Sequence, residues 1–175
     1  IDFLEGLAFC INRRFFSLVV DENFVLKVPE NLDLAGVAPL LCAGITTWSP
    51  LRNWNVGSNS KVAVVGLGGL GHMAIKLAKG LGAEVSLFSR TPGKIEDAKK
   101  LGADSVIIST NEDDMKNAKG KFDLIIDTVP YEHDVTPYMN TLTTDGTLVL
   151  VGFIGEFESN ISSRPLIYQR RSIAG

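Results

Sequence analysis

The segment Gly66-Leu67-Gly68-Gly69-Leu70-Gly71 directly follows the apolar run Val62-Ala63-Val64-Val65. An unbroken apolar run is what a strand buried on both faces of a parallel sheet requires. Beyond the glycines, Leu70, Met73, Ala74, Leu77 and Leu81 recur at helical spacing,. No other feature constrains the chain as much, because G-x-G-x-x-G acquires meaning only between a buried strand and an amphipathic helix. Gly66 permits a tight turn out of the strand. Gly68 leaves room for a pyrophosphate to approach the backbone, and Gly71 lets the helix pack close to the sheet,. Free N–H groups and the positive end of the helix dipole then face the anion.

The rest of the chain fits that frame. Phe15–Val20 and Phe24–Val28 read as strands around a turn at Asp21-Glu22-Asn23,. Residues 33–47 read as helical, with a break or a new start at Pro39,. Asn53–Ser60 suits a loop,. After the glycine helix, which Gly82 closes, Val85–Phe88 reads as a strand and Lys94–Leu101 as a helix ended by Gly102,. Ser105–Ile108, Phe122–Asp127 and Thr147–Val151 read as further strands, with a polar helix in 111–119 and a short one near Tyr138–Leu142. Residues 171–175 would open a sixth strand. Alternating strands and short helical crossovers predict an α/β doubly wound parallel sheet, the Rossmann fold. We assign 33–175 to this dinucleotide-binding domain, C-terminally incomplete, and 1–32 to a lead-in.

The choice of nicotinamide cofactor turns on the end of the second strand. An acidic residue there would bond the ribose 2′-OH of NAD. Ser89 stands there instead, followed by Arg90 and, one turn on, Lys94. A carboxylate would repel a 2′-phosphate, whereas a guanidinium receives one through charge-assisted bonds. The sequence therefore predicts NADP. Glu84 opens that strand and faces away from the ribose.

Charge and cysteine content narrow the class. The 17 basic and 20 acidic residues leave a net charge of -3, which argues against nucleic acid or a membrane surface as partner. No apolar run reaches the length of a spanning helix, and Ile1–Ile11 lacks the basic start of a signal peptide,. Cys10 and Cys42 make no disulfide framework, so a reducing, cytoplasmic setting is expected,. The chain begins with Ile, so it reads as trimmed or as part of something longer. His72, on the first turn of the glycine helix, is within range of a phosphate there but reads as a partly buried or surface helix histidine, and His133, in a loop without a ligand-spaced partner, reads as solvated.

Several segments together resemble the medium-chain, zinc-dependent alcohol dehydrogenases, in particular the cinnamyl alcohol dehydrogenase branch. They are Pro39–Leu51, Val65–Ala74, Leu101–Asp104, Asp127–Pro130 and Arg171–Gly175. The resemblance implies that Cys42 takes the place of a catalytic zinc ligand and Thr46 lies beside the nicotinamide. It implies that Gly66, Gly68, Gly69 and Leu70 hold the pyrophosphate, while Ser89, Arg90 and Lys94 read the adenosine ribose and its phosphate. Thr128, Val151, Gly152 and Phe153 would line the nicotinamide pocket. It further implies hydride transfer between small alcohols and aldehydes, a homodimer for the complete protein, and residues 1–32 as a remnant of the GroES-like catalytic domain.

Part of the pattern is missing. A catalytic zinc takes three protein ligands, and this chain offers Cys42 alone, with no His-Glu pair and no four-cysteine cluster. Two readings stay open: a piece of an NADP- and zinc-dependent alcohol dehydrogenase, or a dinucleotide-binding module without turnover. A short-chain reductase would need Tyr-x-x-x-Lys, which Tyr131, Tyr138 and Tyr168 all lack.

Overall fold

Strands β1 (Lys61–Val65), β2 (Glu84–Ser89), β3 (Ser105–Ile108), β4 (Phe122–Asp127), β5 (Leu142–Leu150) and β6 (Ser172–Ala174) form one sheet in the order β3-β2-β1-β4-β5-β6. Every pairing is parallel. This is the doubly wound order, and its switch point falls between β1 and β4. The structure is a computed structural model and describes residues 19–155 and 162–175. The chain divides into two units, Ile1–Val37 and Ala38–Gly175, and the sheet belongs to the second.

Helix α1 (Ala43–Asn53) precedes the sheet. The helices α2 (Gly69–Gly80), α3 (Ile95–Leu101), α4 (Glu112–Asn117), α5 (Thr136–Met139) and α6 (Arg164–Gln169) each connect one strand to the next, as the crossover rule requires,. Strand residues alternate between two apolar layers. Val62, Val64, Val85, Leu87, Leu124 and Ile126 pack with Ala74, Ile75 and Ala78 of α2 and Leu51 of α1. Ala63, Val65, Phe88, Ile125 and Leu148 pack with Ala118, Val135, Tyr138 and Met139 on the other side. Both faces are therefore covered, which explains the continuous apolar run in β1.

Some expectations are corrected. The buried stripe of α2 is Gly71, Ala74, Ile75 and Ala78, one residue around from the leucines, which are only partly covered. Small residues there bring the helix axis close to the sheet. Leu142 begins β5 rather than ending a helix, and α5 starts earlier, with Pro137 in its first turn. The register of β5 on β4 shifts between Phe122 and Leu124, and Asp145 takes up a φ of 65° there. The break near Pro39 is present as a 3-10 turn, Ala38–Leu41.

In the first unit, Glu22–Phe24 form a 3-10 turn capped by the Asp21 carboxylate, which accepts from the Asn23 N–H at 2.9 Å. Residues 25–28 join no sheet among the described residues. A strand needs a neighbour for its backbone groups. The expected strand Phe15–Val20 lies largely outside the described residues. No single helix among the described residues is long and apolar enough to cross a membrane.

Candidate functional site

The strand ends fix where the site lies. Val65 is in register with both Phe88 and Asp127, so β1, β2 and β4 finish at the same level. Gly66 leaves β1 with a φ of 87°, in the left-handed region that favours glycine, and its N–H bonds the Phe88 carbonyl at 3.1 Å,. A Cβ on Gly71 would lie 2.1 Å from the Gly66 carbonyl oxygen, so backbone meets backbone at that point. A Cβ on Gly68 or Gly69 would meet nothing within 4 Å. The turn is thus tight beneath and open above, and the unpaired N–H groups of α2 begin at the open side.

Thr128 braces this turn from below. Its hydroxyl donates to the Val65 carbonyl at 2.7 Å, and its N–H bonds the same oxygen at 3.1 Å. That hydroxyl is committed to the loop support and buried.

A cleft of about 460 Å³ opens beside the glycine turn. Gly66 and Leu67, the end of β2 with Ser89 and Arg90, Lys94, and the segment from Val129 to Asp134 all line it. Ser89 is buried, and its hydroxyl donates to the Thr91 carbonyl at 2.8 Å, which fixes the chain as it leaves β2. Arg90 and Lys94 are exposed cations on the rim, and no carboxylate ends β2. Glu84 is exposed at the opposite end of that strand.

A second cleft, of about 540 Å³, lies over the end of β5. Thr46, Ser49 and Asn53 of α1 line it together with Val149, Leu150 and Val151. The N–H groups of Val151 and Gly152 both donate to the Asp127 carbonyl, at 2.9 and 3.0 Å, which turns the chain away from the sheet. A Cβ on Gly152 would lie 2.3 Å from the Val129 carbonyl oxygen, so two strand ends touch there. Phe153 is 89% exposed.

Cys42 is exposed and unbonded just before α1. Among the described residues no group of three or more His, Cys, Asp or Glu side chains could hold a metal ion. A catalytic zinc takes three protein ligands, so the described residues do not assemble such a site by themselves.

His133 departs from the expectation of a surface residue. Its Nε2 lies 2.8 Å from Oδ2 of Asp127, a fully buried carboxylate. Burial pushes the Asp127 carboxyl up from the ordinary carboxylate range, and the Val129 N–H and His133 partly reverse the push. The sequence carried one signal of this pair. An ionisable residue that ends the apolar run Leu124-Ile125-Ile126 needs a partner, and His133 is the histidine nearest in sequence. Tyr138 sits edge-on to His133 at 5.9 Å, in the same cleft.

The fold and the glycine turn define an α/β domain of the Rossmann type. The sequence pattern of the zinc-binding dehydrogenases matches residues 69–175, and the chain belongs to that family. It is 47% identical over 159 residues to NADP-dependent alcohol dehydrogenase C 1 of Mycolicibacterium smegmatis, covering 91% of this chain and 45% of that protein. It is 48% identical over 160 residues to aldehyde reductase YahK of Escherichia coli, covering 91% and 46%. The solved cinnamyl alcohol dehydrogenase of Helicobacter pylori, complexed with NADP(H), superposes with a TM-score of 0.79 at 42% identity, covering 90% of this chain and 45% of that one. This chain therefore spans less than half the length of the relatives it matches.

Proposed function

We propose that this chain binds NADP and forms the cofactor half of an oxidoreductase that interconverts alcohols and aldehydes. One observation carries the reading. The Gly66–Gly71 turn lies at the switch point of the sheet, and the end of β2 presents Arg90 and Lys94 without a carboxylate. The NADP linkage of its relatives supports the same reading.

The cradle fits the cofactor, since a Cβ at Gly71 would fill space taken by Gly66 while Gly68 stands open. Bound NADP would accept or deliver the hydride, and the protein's part is binding and orientation. Gly68, Gly69, Leu70 and the start of α2 would meet the pyrophosphate. Arg90 and Lys94 would meet the 2′-phosphate. The Thr46 cleft would receive the nicotinamide end, with Val151 and Gly152 on its wall. The substrate would be a small alcohol or aldehyde, and the complete protein a homodimer in the cytoplasm.

Cys42 would contribute one thiolate to a zinc site, but the described residues alone do not fit the metal. That observation favours a second reading for the isolated chain, binding without turnover. Zinc content and a thermal shift on one sample test both. A saturating NADP concentration near 100 times Kd should stabilise the fold by about 2.7 kcal/mol. Zinc at one equivalent with measurable alcohol oxidation would overturn the binding-only reading, and no NADP-dependent shift would overturn the primary one.

A further inference from the structure

One wall of the 460 Å³ cleft is not explained by the glycine turn or by the cations on its rim. It is the segment that follows β4, held by a buried contact. Asp127 Oδ1 accepts from the Val129 N–H at 3.1 Å, and Oδ2 lies 2.8 Å from His133 Nε2. The other ring nitrogen, Nδ1, lies 3.0 Å from the Tyr131 carbonyl oxygen. A carbonyl oxygen only accepts, so Nδ1 carries a hydrogen. The Nε2–Oδ2 contact needs a hydrogen of its own, which rests on the imidazole or on the carboxyl. Both ring nitrogens are thus engaged, and the imidazole is held between the buried carboxylate and the backbone of its own segment.

The ring is well placed to matter. Its side chain is 17% exposed, and it packs edge-on against Tyr138 at 5.9 Å and Tyr131 at 6.5 Å. Other charged or titratable groups share the cleft. Arg90 comes from the end of β2, Lys94 from the turn after it, Glu132 and Asp134 from the same segment, and Tyr138 from α5.

We propose that His133, pinned by Asp127, is a positioning residue for the adenosine half of the dinucleotide: its contact with the buried carboxylate fixes residues 130–134 as the cleft wall. This rests on the reading of the cleft as a dinucleotide site. It assigns to a histidine outside the glycine motif a share in cofactor binding. Its effect is confined to the adenosine half, because the Thr46 cleft is lined by other residues.

The test is binding of 2′,5′-ADP, which is the adenosine half alone, to the 175-residue chain at one fixed pH. His133→Phe should bind about tenfold more weakly than wild type. His133→Gln keeps an amide that donates to Asp127, so it should bind within about threefold of wild type. If His133→Phe unfolds, His133→Ala takes its place. Binding of the variant without a donor within about twofold of wild type, or a loss in His133→Gln as large as in that variant, would overturn the proposal. Failure of wild type to bind either 2′,5′-ADP or NADP would instead remove the dinucleotide reading and this proposal with it.

Discussion

The backbones of Gly66 and Gly71 are in direct contact, since a Cβ added at Gly71 would stand 2.1 Å from the Gly66 carbonyl oxygen. That relationship joins the exit of β1 to the first turn of α2 and sets the shape of the glycine turn. Substituting Gly71→Ala should therefore destabilise the fold by about 3 kcal/mol, at the upper end of the cost of overpacking. Chemical denaturation would measure it.

Gly68 predicts the opposite division. Nothing stands within 4 Å of a Cβ there, and its φ of -105° suits any residue. Gly68→Ala should leave stability within about 0.5 kcal/mol of wild type and weaken NADP binding by about tenfold or more. Equal losses of stability and binding in Gly68→Ala and Gly71→Ala would contradict the separate roles of the two glycines.

Arg90 stands exposed on the cleft rim at the end of β2. Arg90→Ala should weaken NADP binding by about tenfold to a hundredfold, the worth of one hydrogen bond between charged groups. NAD binding should change by less than about twofold. A parallel loss for both nucleotides would place Arg90 away from the 2′-phosphate.

Asp104 links α2 to the sheet. It accepts from Lys79 Nζ at 2.6 Å and from the Val85 N–H at 2.8 Å. Burial raises its carboxyl, but the bonds from Lys79 and Val85 outweigh that and leave it below the ordinary value. A lowered folded pKa stabilises the protein above the unfolded pKa, and that stability is lost as pH falls through the folded value. Asp104→Asn should therefore reduce stability at neutral pH and flatten the acid limb of the stability curve. Solvent screens the Lys79 pair, so its share should stay within about 1 kcal/mol. Melting temperatures at neutral and acid pH would check both parts.

Much of the fold could be read from local pattern. β3 and β4 fall at the residues expected, because each is a short apolar run between turn residues. The glycine turn was legible for the same reason. The α2 stripe was not, because leucines dominate hydrophobic periodicity while close helix–sheet packing selects Gly71, Ala74 and Ala78. The start of β5 was hidden by Thr143-Thr144-Asp145-Gly146, a turn-like string that the strand absorbs as an irregularity. At the site, residues next to the glycine motif were found, whereas Asp127 and His133 were not. Their contact depends on the chain folding back after β4, which no spacing rule encodes.

The most direct test of the account is calorimetric titration of this chain with NADP and, separately, with NAD. The account predicts saturable binding of NADP that is at least about tenfold tighter than NAD, a difference of about 1.4 kcal/mol. Equal affinity for the two, or tighter binding of NAD, would contradict the assignment of Arg90 and Lys94 to the 2′-phosphate.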